Sequence, residues 1–491
     1  MILSAGVLRF YHLGTWSFGY DELFTTLETK ILFGETTVPD EDLHGGTVKP
    51  EDVQYYRLPR LLFASHSVHQ LGYTLFGTNE FGSRVLMAIL GSLSVGVIFL
   101  LAQPLIGCSG AIILALLVML LPEHLFHSQY NRFYIQSFFL VSIVILLGAH
   151  VAQKHSKVAA FWLGPFSVLL VLSNSFGGVI WGGVLIALLV NAFCAKRFGQ
   201  PQKISGKPVF SRNILTIILM IFLWSVILLG IFVFHIVPLA GGWNNASGWG
   251  YTPLHAVMAF INMLGWQLCL FSTLGIVLAA VNIRNNANAY WLSVALVSGV
   301  AVLVLPTRIV YLPFYGFVFL FPFIVTTALF IREVYQLLAT SNLPFRSMIA
   351  VFWIVAATLL NFPTLISYYQ DGNRPDHRAA FQYVAEHWEE DDVLTGFMMG
   401  TAQYYIPDKK PRIPLRTENT AQKLQQILDQ EIGNNNRLWI VLHSSRNGLN
   451  HELRIWVSQH AILQKVFTKK RFDYAENNVE IFLVPKKSER K

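Results

Sequence analysis

From residue 84 the chain reads Arg84-Val85-Leu86-Met87-Ala88-Ile89-Leu90-Gly91-Ser92-Leu93-Ser94-Val95-Gly96-Val97-Ile98-Phe99-Leu100-Leu101-Ala102-Gln103, a run whose one charge stands at its first position. A helix of about 20 such residues crosses the hydrocarbon core of a bilayer. Comparable runs lie near 110–127, 133–152, 159–174, 177–194, 213–238, 256–282, 290–306, 309–331 and 347–368. Residues 1–8 are apolar but too short to span, and Arg9 interrupts them. They lack the basic start and cleavage site of a signal peptide, so they read as the outer end of a first helix, with an upstream start adding about ten apolar residues expected. The expected fold is mainly α, a polytopic membrane bundle of about eleven spans.

Composition agrees with this. Of 491 residues, 54% are hydrophobic and 13% charged, where soluble domains average about 25% charged. Collagen-like, disulfide-rich and disordered classes are excluded, and three cysteines make no disulfide framework. The net charge of +8 would suit nucleic acid, so its placement matters. Residues 1–370 hold 18 Lys/Arg and 12 Asp/Glu; residues 371–491 hold 18 and 16. The last quarter therefore has the composition of a water-exposed domain.

Sidedness follows from the basic residues of short loops. The loops at 104–109, 153–158, 195–212, 283–289 and 332–346 carry ten Lys/Arg, while the alternate loops carry two, Arg132 and Arg308. That bias puts 14–83 and 369–491 outside the cytoplasm, on one face. The basic excess is an orientation signal, and nucleic acid is not an expected partner. The expected domains are 1–368, a transmembrane catalytic part whose 14–83 segment is a large outer loop with interfacial helices, and 369–491, a soluble extracytoplasmic α/β domain. In the latter, 378–389 and 450–464 read as helices, Leu438-Trp439-Ile440-Val441-Leu442 as a strand, and 470–474 with 479–484 as a hairpin.

Ten of the first twelve acidic residues fall between Asp21 and Glu80. Tyr20-Asp21-Glu22 heads the group, just outside the first apolar segment. An Asp there could act as general base toward a hydroxyl or help hold a divalent metal; equally, helix starts favour Asp and Glu. A second block is Glu123-His124-Leu125-Phe126-His127-Ser128-Gln129-Tyr130-Asn131-Arg132-Phe133-Tyr134. Arg132 at a helix N-terminus opposes the dipole unless an anion is also bound; an Arg reaching lipid headgroups is the plainer reading. Arg308, at another outer helix start, follows the same logic. His124 and His127 have a spacing that could ligate a metal, but no clear ligand set accompanies them. The loop around Trp243, Trp249 and Tyr251 has rings and amides suited to sugar contact, as well as to interfacial anchoring. After Glu80 no Asp or Glu falls in the interior of a span, Glu123 standing at the outer end of 110–127, which disfavours a proton-driven pump.

Taken in order, several stretches resemble the GT-C glycosyltransferases of the protein mannosyltransferase (family 39-like) group, which includes bacterial aminoarabinose transferase and the Rgt-type lipopolysaccharide sugar transferases. Arg9-Phe10-Tyr11-His12-Leu13-Gly14 followed by Tyr20-Asp21-Glu22 is similar to the end of that family's first helix and its Asp-Glu signature. Leu75-Phe76-Gly77-Thr78-Asn79-Glu80-Phe81-Gly82-Ser83-Arg84 resembles the start of its second helix. Ser128-Gln129-Tyr130-Asn131-Arg132-Phe133-Tyr134 resembles its Gln-Glu-Ala-Arg-x-Tyr block, with Tyr130 where the family has a carboxylate. The segment after Arg308 resembles its Arg-Tyr-Leu stretch.

The resemblance implies an integral membrane enzyme, in a bacterial inner or plasma membrane, with its site on the extracytoplasmic face. It would move one sugar from a polyprenyl-phosphate donor to an envelope glycan, lipid or protein, with inversion. By the same resemblance Asp21 acts at the acceptor hydroxyl with Glu22 in support, and Arg132, Tyr134 and Arg308 hold the donor phosphate. His127, Trp243, Trp249 and Tyr251 are the candidate sugar or acceptor contacts, and the C-terminal domain is expected to bind or orient the acceptor. Metal dependence stays open. The rival from another class is a transporter or flippase of a lipid-linked sugar.

Overall fold

The computed structural model describes residues 1–38, 62–198, 212–233, 252–283, 286–307, 313–340, 359, 362–396, 399–415, 420–433, 436–443, 451–469 and 478–486. The chain groups into two compact units. One comprises Met1–Tyr11, Leu58–Leu71 and Val85–Pro363; the other comprises His12–Arg57, Gly72–Arg84 and Thr364–Lys491.

The first unit is helical. Among the described residues five helices are long and apolar enough to cross a membrane, or six if one bent pair counts as a span. The protein is an integral membrane protein. The expected count of about eleven is larger, partly because 341–358 and 234–251 lie outside the described residues, and partly for two reasons visible in the fold. Gly82–Met119 runs as one 38-residue helix, broken inside by Gly107 at φ 75°. That backbone suits glycine, and it falls within the loop expected between the first two long spans. The run expected as one span at 256–282 is two helices, Pro253–Leu264 and Trp266–Val281, bent by 99°. Gly265, at φ 83° and ψ 138°, makes the corner.

Other spans follow the apolar runs closely. Tyr134–Lys154 has 21 residues, about 32 Å of helix at 1.5 Å per residue, enough for the core of a bilayer. Its inner face is aromatic: Phe138 stacks on Phe317 with ring centres 5.0 Å apart and meets Phe321 edge-on at 5.8 Å. Lys157–Ser173 starts where the Ser156 side chain accepts a hydrogen bond from the Ala159 amide, satisfying a donor that the helix leaves open.

The second unit is built on a mixed five-stranded sheet in the order β2-β1-β3-β5-β4, where β1 is Val393–Gly396, β2 Arg412–Pro414, β3 Leu438–His443, β4 Ile462–Phe467 and β5 Val479–Val484. β1 runs parallel to β2 and β3, and β5 is antiparallel to β3 and β4. All six residues of β3 are buried, which is why it reads as an unbroken apolar run. Leu438, Ile440 and Leu442 pack with Leu424, Leu428, Leu453 and Val457 from the helices Thr420–Gly433 and His451–His460. Trp439 and Val441 face the other way, onto Phe381 and Val384 of the helix His377–Glu386 and Met399 and Ala402 of Met399–Tyr405. The sheet is therefore covered on both faces, as an α/β layer requires.

Two local expectations change here. The expected helix 450–464 ends at His460, and its last residues enter β4 instead. The closing hairpin exists, but its first strand is Ile462–Phe467; the stretch 470–477 is outside the described residues. Buried Asp392 locks this sheet, taking hydrogen bonds from Arg437 Nε, Arg437 Nη2 and Trp439 Nε1 at 2.7–2.8 Å.

Candidate active site

The helix Tyr20–Leu32 starts at Gly19, so Asp21 and Glu22 lie in its first turn. Their environments differ sharply. Glu22 is fully buried. Its Oε1 accepts from Arg84 Nε at 2.8 Å, and its Oε2 accepts from Arg84 Nη2 at 2.8 Å, from the Gly19 amide at 2.9 Å and from Arg374 Nη1 at 3.4 Å. Asp21 is half-buried, and its carboxylate makes no hydrogen bond or ion pair to any described residue. Helix-start sequence alone does not separate these neighbours; the helical rotation of about 100° per residue does.

Arg84 explains how the turn before Asp21 is held. A guanidinium has five N–H donors in a fixed fork. Besides Glu22, those of Arg84 reach the carbonyls of Leu13 at 3.1 Å, Trp16 at 2.8 Å and Ser17 at 3.1 Å. The fork also lies over the Phe18 ring, 5.3 Å from its centre. Three of its five bonds thus hold the chain just ahead of Asp21, and the other two hold Glu22 just after it. A second arginine works from the same side: Arg378 Nη2 bonds Glu80 Oε1 at 2.7 Å and reaches the carbonyls of Gly14 and Trp16 at 3.4 Å. Ser17 Oγ donates to the Pro375 carbonyl at 2.8 Å. What remains chemically available at this turn is the Asp21 carboxylate.

The first unit holds the other expected residues. Arg132 lies in the turn before Tyr134–Lys154, its guanidinium 5.4 Å from the centre of the Phe133 ring. Nearby are His66 and His69 of the helix Phe63–Phe76, both buried. Burial, then the Arg132 charge, lowers the His69 pKa to about 3, against a side-chain hydrogen bond to Asn131 that raises it. Burial, His69 and Arg132, in that order, also hold His66 well below the usual imidazole range. Two neutral histidines therefore lie near a cation, a region of positive potential in low-dielectric surroundings.

Tyr134 is buried, with its ring 4.9 Å from that of His127. His127 is also buried, 4.4 Å from the Phe317 ring and 3.7 Å from the Glu123 carboxylate. A sugar contact expected at His127 thus meets an imidazole packed among aromatic rings inside its unit, because the helix Pro122–Ser128 turns that face inward. His124 is committed as well: its Nδ1 accepts from Arg9 Nη2 at 2.7 Å, which leaves Nε2–H to donate to Ser94 Oγ at 3.0 Å. Among the described residues no three His, Cys, Asp or Glu side chains gather as metal ligands. Arg308, Trp243, Trp249 and Tyr251 lie outside the described residues.

Sequence reasoning did not single out Arg84, Glu80, Arg374, Arg378, Tyr405, His66 or His69. For Arg84 a signal existed, since a charge at the head of an apolar run is costly unless paired. For Arg374, Arg378 and Tyr405 there was none, because their partners lie hundreds of residues away.

No protein-family model matches the sequence, and no curated protein matches it. Among solved structures the chain is similar to ArnT, the aminoarabinose transferase, from Cupriavidus metallidurans bound to undecaprenyl phosphate. The TM-score is 0.55 at 12% identity, over 98% of this chain and 97% of that one. It is also similar to the oligosaccharyltransferase of Archaeoglobus fulgidus in the apo form, with a TM-score of 0.53 at 13% identity, over 90% of this chain and 69% of that one. The same archaeal enzyme, AglB, in complex with an inhibitory peptide and a dolichol-phosphate, gives a TM-score of 0.52 at 12% identity, over 97% and 73%. Likeness at such identity speaks for the fold. The chain has the GT-C fold of membrane glycosyltransferases.

Proposed function

We propose that this protein is an integral membrane glycosyltransferase that moves a single sugar from a polyprenyl-phosphate donor to an envelope acceptor on the extracytoplasmic face. The observation that carries the reading is the contrast at the start of the Tyr20–Leu32 helix: Glu22 is fully engaged by arginine, while Asp21 beside it keeps a half-buried carboxylate with no described partner. The lipid-phosphate donor is supported by likeness to a protein of the same fold bound to undecaprenyl phosphate.

In this reading Asp21 takes the proton of the acceptor hydroxyl as its oxygen attacks the anomeric carbon. The bond from that carbon to the phosphate oxygen breaks, and the lipid phosphate leaves with the electron pair, so a single in-line displacement inverts the centre. Charge grows on the leaving phosphate, where fixed cations lower the barrier. Arg132 with Tyr134 is assigned to that phosphate, and Arg308 alongside. The reading is supported by Arg132 standing as a cation close enough to His66 and His69 to lower both imidazoles.

The test is transfer by the purified protein from a panel of polyprenyl-phosphate sugars to cell-envelope acceptors. Wild type is expected to transfer, and Asp21→Asn to lose about 10²- to 10⁴-fold in rate. Undiminished transfer by Asp21→Asn removes Asp21 as the base. No transfer by wild type, together with movement of labelled lipid across vesicles, replaces the enzyme with a transporter. Topology reporters provide a second check: the outer-face reading needs a fusion near residue 205 in the cytoplasm and one near residue 430 outside.

A further inference from the structure

We infer that Tyr405, at the end of the helix Met399–Tyr405, is a positioning residue for Asp21, holding in place the main chain from which the Asp21 helix begins. This rests on the reading of Asp21 as the base, and it gives the C-terminal sheet domain a role besides the acceptor binding expected from its sidedness.

Phe18 is fully buried one residue before the helix N-cap, so its amide has no place in the helical ladder. That amide donates to the Tyr405 hydroxyl at 2.7 Å. The hydroxyl in turn donates to Glu80 Oε1 at 2.9 Å. Glu80 Oε1 also takes the Arg378 bond, and Arg378 extends to the Gly14 and Trp16 carbonyls. Burial, then the Glu80 carboxylate, pushes the Tyr405 phenol up, so it keeps the proton it donates. One phenol thus joins the turn before Asp21 to the carboxylate that anchors Arg378.

Side-chain packing converges on the same turn. The Tyr404 ring meets Phe18 edge-on at 5.2 Å. Tyr20 packs against the apolar cluster that Leu438, Ile440 and Leu442 form with the helices beneath the sheet. The residues on both sides of Gly19 are therefore held by the C-terminal domain, and Asp21 follows two positions later. A reacting group misplaced by about 1 Å can cost about 10²-fold in rate.

Tyr405→Phe keeps the ring and removes only the bridge. With the full-length protein in detergent, kcat for sugar transfer is expected to fall about 10²-fold, with KM for the polyprenyl-phosphate donor and the ascending limb of the pH profile unchanged. Amide exchange over residues 15–24 is expected to quicken while β3 stays protected. Wild-type kcat and wild-type exchange in Tyr405→Phe overturn the inference. Should Tyr405→Phe lose protection in β3 too, Glu80→Ala decides: it removes the acceptor of the phenol, and unchanged kcat and exchange at 15–24 overturn the inference equally. A wild type that transfers nothing overturns the functional reading by itself; exchange at 15–24 then still settles whether Tyr405 holds this turn.

Discussion

Arg84 donates to both carboxylate oxygens of Glu22 at 2.8 Å, and neither side chain is exposed. A buried pair of this kind is weak as a source of net stability, but removing one partner leaves the other charged, buried and alone, at about 3–5 kcal/mol. Adjacent carboxylates should therefore respond oppositely to the same change. Glu22→Gln is expected to destabilise by about 3–5 kcal/mol. Asp21→Asn should alter stability by no more than about 0.5 kcal/mol while removing activity. Thermal unfolding in detergent checks both, and equal losses from the two variants would contradict the division of labour.

Arg84→Lys tests whether charge or geometry holds the turn. An ammonium has three donors and no planar fork, so it keeps the attraction to Glu22 but cannot also serve the Leu13, Trp16 and Ser17 carbonyls. Each buried carbonyl left without its donor costs about 1–3 kcal/mol. Arg84→Lys should recover little of what Arg84→Met loses in unfolding midpoint. Full recovery would show that charge alone suffices.

Much of this architecture was legible because membrane helices carry their own signal: Tyr134–Lys154 lies within two residues of the apolar run that announced it. The corner at Gly265 does not show in the run 256–282, since hydropathy says nothing about direction and one residue at positive φ bends an apolar run without interrupting it. The end of the 450–464 segment reads as helix in the sequence, because Ile462, Leu463 and Val466 are exposed on β4 and no buried-face alternation marks a strand. At the site, Asp21 stood out as the first acidic residue after an apolar segment. The bonds that isolate it join Glu22 to Arg84 and Arg374, and no local pattern in one sequence encodes pairings over such separations.

Acid should weaken the fold through His69. Unfolded, an imidazole titrates near 6.5; folded, His69 titrates at about 3, from burial and then from Arg132. Between those values the unfolded chain binds a proton that the folded chain refuses, so stability falls as pH falls. The contribution is complete above about pH 6.5 and declines by about 1.4 kcal/mol per pH unit toward pH 3. His66, lowered in the same direction, adds to the slope. The unfolding midpoint of wild type should drop from pH 7 to pH 5, and His69→Gln should flatten that drop. A variant as acid-sensitive as wild type would rule out His69 as a source.

Gly275 offers a test of the helix packing that carries the membrane part. A Cβ built there would stand 2.2 Å from the Thr326 carbonyl oxygen, a main-chain atom unable to swing aside. One turn earlier Ser272 Oγ and Thr326 Oγ1 share a hydrogen bond at 2.8 Å. Small residues let helix backbones approach in lipid, where packing and interhelical hydrogen bonds drive association. Gly275→Ala must push the helices Trp266–Val281 and Leu320–Thr340 apart, and overpacking of this sort costs about 1–3 kcal/mol. A lower unfolding midpoint is expected, whereas Gly178→Ala, where nothing lies within 4 Å of the added methyl, should stay at the wild-type value. Equal midpoints for the two variants would mean that the contact at Thr326 is not tight.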